Sequence, residues 1–220
     1  SSNTEKKEGA KVSMTSDGSL IDEEQSSMPV KPDMLKVTAT AKSRLFQVEE
    51  IELRFSNGVE RTYERLASRG HGAVMIAAID AEENVLLIKE YAVGLEDYLL
   101  TLPKGLIDPG EDALLAANRE LKEEAGFGAE HLRTIKQLTA APNYMGHKIT
   151  VVMAEGLFPC RLEGDEPEQM EVIRWPLSNL DELFSRDDFS EGRAIAALYM
   201  VRQQLQSEKK TTQATRPEAR

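Results

Sequence analysis

Apolar residues change period along this chain, and each change marks an element. Residues 51–55 and 59–65 alternate in strand fashion on either side of Asn57-Gly58, which predicts a β-hairpin. Ahead of it, residues 35–41 and 44–48 read as extended segments. Residues 72–79 are an unbroken apolar run, the pattern of a strand buried on both faces, and 85–91 repeat it after a polar turn. Residues 98–103 form a further short apolar segment. Between 111 and 125 the period becomes helical: at about 100° per residue, Leu114, Ala117, Leu121 and Ala125 share one narrow stripe. Gly126 then supplies a left-handed stop. Strands are expected at 133–140, 148–155 and 171–176, and helices at 178–185 and 191–206. Strands and helices interleave, which predicts an α/β sandwich with a mixed sheet.

The ends read differently. Residues 1–33 and 207–220 are polar and aperiodic and are expected to be disordered. The chain does not open on Met, and Met28 is a candidate natural start, with 1–27 an added leader. That leaves an N-terminal β subdomain over 34–68 and a main domain over 69–206.

Charge changes the picture only by exclusion. Of the net −11, the acidity resides in the folded part, where residues 28–206 hold 20 basic and 30 acidic side chains. Such a surface is a poor partner for a nucleic-acid backbone. No run of about 18 apolar residues exists to span a membrane. The single cysteine, Cys160, cannot form an internal disulfide, which fits a reducing cytoplasm.

The helix at 111–125 carries the chemistry. Glu120, Glu123 and Glu124 fall about 240°, 180° and 280° from Leu114, side by side beyond the edge of the apolar stripe. Like charges at these spacings are mildly destabilising. A hard divalent cation reverses that cost, and Mg²⁺ takes one or two carboxylates together with phosphate oxygens and waters. The pattern therefore predicts metal-assisted phosphate chemistry. A merely solvated helix would explain an Arg119–Glu123 pair and leave Gly105, Glu111 and Gly126 unaccounted for.

Gly105, Glu111, Arg119, Glu120, Leu121, Glu123, Glu124, Gly126 and Phe127 are nine fixed positions in 23 residues, and they resemble the Nudix box without a departure. The resemblance implies the α/β/α sandwich of the Nudix hydrolases, here preceded by an antiparallel β-hairpin subdomain. It also implies that Glu120 and Glu124 ligate metal, often with the Lys104 carbonyl. Glu123 would be a further ligand or a proton acceptor, and Arg119 would position a carboxylate together with Glu111. The general base is expected in the acidic loop 163–171, with Glu168 first and Glu166 second.

The runs at 42–46, 55–59, 89–94, 104–111 and 162–168 resemble the ADP-ribose pyrophosphatase-like branch, and within it the bacterial hydrolases of ADP compounds. That resemblance implies hydrolysis of ADP-ribose, NADH and diadenosine triphosphate to release AMP, with Mg²⁺ as cofactor and Mn²⁺ a substitute. It implies a homodimer formed through the N-terminal strands. Tyr63, Pro142 and Lys104 are the expected substrate contacts. Ala92 and Thr101 stand where other members carry Arg and Glu, which argues for looser substrate choice.

Other residues have plainer readings. His147 and His131 are weaker candidates for the base. Tyr91, Tyr98 and Tyr144 are alternative stacking partners that packing would also explain, and Trp175 reads as packing. Two other functions stay open: a housecleaning hydrolase of nucleoside triphosphates, and a catalytically silent Nudix sensor or scaffold.

Overall fold

The computed structural model describes residues 11–22 and 29–216. The chain divides into two compact units, residues 1–64 and 65–220.

In the first unit, β1 (Val12–Met14) pairs antiparallel with β2 (Leu20–Asp22). This hairpin lies in the segment that its polarity marks as disordered. The turn explains the difference. The Asp17 carboxylate accepts hydrogen bonds from the hydroxyls of Thr15 and Ser19 and from Ser19 N, and Gly18 takes φ +87°. Those bonds hold the Asp17 pKa down to about 2. Residues 1–10 and 23–28, with the candidate start Met28 among them, lie outside the described residues.

The larger sheet of this unit is antiparallel in the order β3 (Asp33–Lys42), β4 (Gln47–Arg54), β5 (Glu60–Leu66). Val37 faces Ile51 across the first pair, with bulges at Met34/Lys36 and Ala39/Ala41. Asn57-Gly58 turns the β4–β5 hairpin: Gly58 has φ +85°, and the Asn57 side chain accepts from Val59 N at 3.0 Å. Met34, Leu35, Val37, Phe46 and Val59 remain exposed.

The second unit holds two sheets. The first runs β10 (Phe127–Thr139), β11 (Lys148–Pro159), β6 (Ala73–Ala78), β9 (Lys104–Leu106). Only β11–β6 is parallel in it, so the sheet is mixed. The second is antiparallel, β12 (Glu171–Pro176), β7 (Asn84–Ala92), β8 (Asp97–Thr101), and an Ile79–Val85 bridge links β6 to β7.

The unbroken apolar runs are buried on both faces, and residue parity decides where each side chain goes. Met75, Ala77, Leu87, Val151 and Met153 join one core with α2 (Leu180–Phe184) and α3 (Gly192–Ala214). Val74, Ile76, Ala78, Leu86 and Val152 join the other with α1 (Ala113–Ala125). Helices cover both faces of the strands, in an α/β/α arrangement.

Several boundaries differ from the sequence reading: β10 begins at Phe127 and β11 runs on to Pro159, and the helices shift as well. Helix α1 starts at Ala113 because Asp112 caps it, accepting from Leu115 N at 2.8 Å, while Glu111 is drawn elsewhere. Helix α3 runs to Ala214, through most of the tail that aperiodicity marks as disordered. Its extra turns carry polar ties instead of an apolar stripe: Arg133 pairs with Glu208, Gln204 with Glu208 at 3.1 Å, and Lys209 with Glu83 at 3.2 Å.

Candidate active site

Strand β9 and the turn after it form the floor of the site. Gly105 is required there by contact: a Cβ would lie 2.0 Å from the carboxyl carbon of Glu120. With hydrogen in that place, the Glu120 carboxylate rests on the strand. Arg119 holds it there. Its Nε and Nη2 grip Glu111 at 2.8 and 2.9 Å, Nη1 reaches Glu120 at 2.9 Å and Glu123 at 3.4 Å, and Nη2 also donates to the Leu106 carbonyl at 3.0 Å. Glu111 further accepts from Asp108 N at 3.0 Å. The guanidinium lowers the Glu111 pKa to about 2, and the carboxylates in turn raise that of Arg119. One arginine thus ties the loop, through Glu111 and the Leu106 carbonyl, to two of the helix's acids, Glu120 and Glu123.

Glu124 departs from the helical-wheel reading. It lies within the buried face of α1, 7% exposed, where Lys104 N donates to it at 2.9 Å. Burial raises its pKa to about 8, and burial raises that of Glu120 to about 7. Two carboxylates with little taste for charge therefore sit on one floor, one of them with only a backbone amide for partner. Lys104 contributes through its backbone, because its ammonium is paired with Glu90 at 2.9 Å.

The glutamates do not form a ready-made cage. Among the described residues, no three His, Cys, Asp or Glu side chains converge closely enough to hold a cation, since Arg119 spreads across Glu120 and Glu123. The donor set nonetheless fits a hard divalent ion. Glu120 and Glu124 are oxygen donors buried beside a glycine cradle, and an incoming cation would offset the burial that now disfavours their charge.

The acidic loop is docked on the end of α1. Cys160 N donates to Gly126 O at 3.0 Å, Leu162 N to Lys122 O at 3.3 Å, and Arg161 Nη1 to Glu123 O at 3.2 Å. Arg161 also lies over Gly126, where a Cβ would stand 2.5 Å from its Nη2. Past this anchor Glu166 lines three cavities: about 370 Å³ beside Glu123 and Glu124, about 420 Å³ beside Tyr91 and Tyr98, and about 220 Å³ beside Gly105 and Glu124. Glu168 lines the first two and accepts a hydrogen bond from the Tyr98 hydroxyl at 2.8 Å, which raises the Tyr98 pKa.

The remaining candidates scatter. His147 lines the 220 Å³ cavity with Arg193, and burial lowers its pKa. His131 is an exposed strand residue paired across from Glu155. Pro142 and Tyr144 lie in an exposed turn where Ala141 takes φ +46°. Tyr63 belongs to the β3–β5 sheet, half exposed and edge-on to Phe55 at 6.4 Å. Thr101 is buried, its hydroxyl without a partner among the described residues. Trp175 donates to the Asn179 carbonyl at 2.8 Å and packs on the α3 core. Periodicity missed Glu90, Arg161, Arg193 and the Tyr98–Glu168 bond, all of which depend on contacts between distant segments.

Comparison with known proteins agrees with this geometry. The NUDIX domain family matches residues 69–199, and the NudE-type Nudix hydrolase N-terminal domain matches 32–65. The chain is 50% identical to the ADP compounds hydrolase NudE of Escherichia coli (strain K12) over 178 residues, 81% of this chain and 95% of that one. It is 30% identical to an ADP-ribose pyrophosphatase of Bacillus subtilis (strain 168) over 74% of this chain and 88% of that one. A crystal structure of an ADP compounds hydrolase superposes with TM-score 0.78 at 49% identity, covering 83% of this chain and 98% of that one. A box kept whole, its helix burying Glu124 against the floor strand, inside a matched domain, places this chain in the Nudix hydrolase family.

Proposed function

We propose that this enzyme hydrolyses ADP-linked diphosphates, taking ADP-ribose, NADH and diadenosine triphosphate and releasing AMP. The observation that carries the reading is the 50% identity to an ADP compounds hydrolase across 95% of that relative's length, with the box unbroken. No helix among the described residues is long and apolar enough to cross a membrane. We place the enzyme in the cytoplasm, where the lone Cys160 would stay reduced.

Glu120 and Glu124 would hold Mg²⁺, or Mn²⁺ in its place, with Glu123 and the Lys104 carbonyl in reach of the same role. When bound, the ion supplies charge for the bridging phosphate oxygens and acidifies a water. The chain's own groups do the rest. Arg119, itself gripped by Glu111, holds the Glu120 carboxylate on the strand floor. Glu168, or Glu166 beside it, accepts the proton of the attacking water. The new P–O bond forms as the bridging P–O bond breaks, and ADP-ribose yields AMP and ribose 5-phosphate. Substrate contacts are assigned to Tyr63, Pro142 and the backbone of Lys104. Ala92 and Thr101 remove two side chains that would narrow the choice of substrate.

The N-terminal sheet supports a homodimer, because it leaves Met34, Leu35, Val37, Leu45, Phe46 and Val59 exposed. Light scattering at micromolar concentration should give twice the chain mass, and a monomer would refute that assignment. For activity, the test is kcat/KM with Mg²⁺ across ADP-ribose, NADH, diadenosine triphosphate and a nucleoside triphosphate, following AMP. Comparable values for the first three are expected. A triphosphate that outperforms all of them would overturn the reading in favour of housecleaning.

A further inference from the structure

The cavity of about 220 Å³ beside Gly105 and Glu124 has a wall that the box does not supply. His147, from the segment before β11, and Arg193, from the first turn of α3, line it together with Lys104 and Glu166. Arg193 is held firmly. Its Nε donates to Glu191 at 2.7 Å, and the other Glu191 oxygen caps α3 by accepting from Ala194 N at 2.8 Å. Nη1 lies 3.4 Å from His147 Nε2, and among the described residues Nη2 has no partner. The side chain is only 21% exposed.

Among the described residues that line this cavity, Arg193 is the cation with N–H groups to spare. The Lys104 ammonium is taken by Glu90 at 2.9 Å, so it offers little to a ligand. Glu191 binds Arg193 through Nε alone, which leaves spare N–H groups on a side chain that lines the cavity. A planar fork with spare N–H groups is well suited to phosphoryl oxygens, which it can bind in bidentate fashion. Burial and the neighbouring Arg193 lower the His147 pKa, which favours the neutral ring. One of its nitrogens then accepts from Arg193, and the other carries an N–H.

We propose that Arg193, fixed by Glu191 and steadied by His147, is a substrate-binding residue that holds a phosphoryl group beside Glu124. The inference rests on the reading of this protein as a diphosphate hydrolase. It adds a contact from α3, 69 residues beyond Glu124, outside the box and the acidic loop.

The test uses full-length Arg193→Gln and Arg193→Lys. KM for ADP-ribose and the calorimetric Kd for pyrophosphate with Mg²⁺ are both measured, with thermal melts to confirm folding. Loss of a charged hydrogen bond predicts that Arg193→Gln raises KM and Kd about tenfold or more, with kcat little changed. Arg193→Lys keeps the charge and loses the fork, so it should fall between Arg193→Gln and the wild type. If Arg193→Gln fails to fold, a rise in KM and Kd for the lysine variant supports the proposal. Unchanged Kd in the folded variants, or a fall in kcat alone, overturns it. The pyrophosphate titration also separates the two readings. A wild type that cleaves no ADP compound overturns the proposed function, whereas weaker pyrophosphate binding by Arg193→Gln would still uphold the contact.

Discussion

The box helix and the acidic loop are both rich in glutamate, and the structure treats them oppositely. On α1 each glutamate has a fixed partner: Glu120 shares Arg119 with Glu111 of the preceding turn, Glu124 takes a backbone N–H, and Glu123 lies at the weak end of the same guanidinium. In the loop, Glu163, Asp165, Glu166 and Glu168 are exposed, and the bond to Tyr98 is the tie recorded for Glu168. The helix holds its acids before any ligand arrives, at the cost of burying charge. The loop is anchored at its base and leaves its acids in solvent, where a group that must accept and release a proton can exchange it. Fixed acids suit an ion; solvated acids suit a proton.

The comparison breaks first at the helix. Glu120→Gln and Glu124→Gln keep shape and remove the charge a hard cation needs, so turnover should fall by orders of magnitude while the fold survives. Gly105→Ala tests the same point from the floor. Its Cβ would meet the end of the flexible Glu120 side chain at 2.0 Å, so the carboxylate must move while the backbone need not. Steady-state kinetics should show loss of activity close to that of Glu120→Gln, with a melting temperature close to wild type. Near-normal turnover in any of the three would remove the helix as the metal platform.

Next in size is the loop. Glu168→Gln should slow the chemical step by about 10²–10⁴-fold with little change in metal affinity, as a general base does. Glu166 lines the cavity beside Gly105 and Glu168 does not, which makes the paired variant informative. If Glu166→Gln is crippled and Glu168→Gln active, the proton acceptor is the residue two positions earlier.

What could be read in advance follows the same division. Strand parity and helical period are local, so β6, β7, α1 and the Asn57-Gly58 turn were legible, and β12 falls on residues 171–176 as expected. Glu124 was visible as an acid of the box but not as a buried one, because the wheel places it only about 20° from Ala117 and burial depends on β9 lying over it. The Lys104–Glu90 pair and the Arg193–His147 contact join segments 14 and 46 residues apart, and no pattern in the chain announces them. The hairpin at 12–22 was missed because its bonds are polar, and apolar periodicity is blind to an Asp-Gly turn. The last turns of α3 were missed for a related reason: they are held by ion pairs to Arg133 and Glu83.

A smaller effect belongs to the clamp. Glu111→Gln replaces a two-pronged charged partner of Arg119, both side chains being mostly buried, and should cost about 1.5–3 kcal/mol in urea unfolding. Two pH windows separate clamp from floor. The Glu111 pKa lies below its unfolded value, so its contribution is complete above about pH 4.5 and fades as pH falls toward 2. Glu120 and Glu124 lie above theirs, so metal-free protein is most stable with both protonated and loses stability as pH rises from 4.5 through 7 and 8. Melts in chelator should therefore decline from pH 5 to 8 in wild type and flatten in Glu124→Gln. A wild-type melt that is level across that range would show that burial does not load those two acids.

The smallest expected effect lies on the loop side. Tyr98→Phe deletes the hydroxyl that donates to Glu168 and leaves the ring edge-on to Tyr91 at 5.4 Å. Both partners are exposed, so water replaces the lost bond and the melting temperature should not move. Any consequence must pass through the position of Glu168. If Glu168 is the base, kcat should fall by no more than about fivefold, because this charged hydrogen bond is open to solvent and water replaces most of it, with KM unchanged. The same substitution in a Glu168→Gln background should then do nothing further, since the group it orients has lost its function. Additive losses in the double variant would place Tyr98 in contact with substrate and leave the loop's acids free of it.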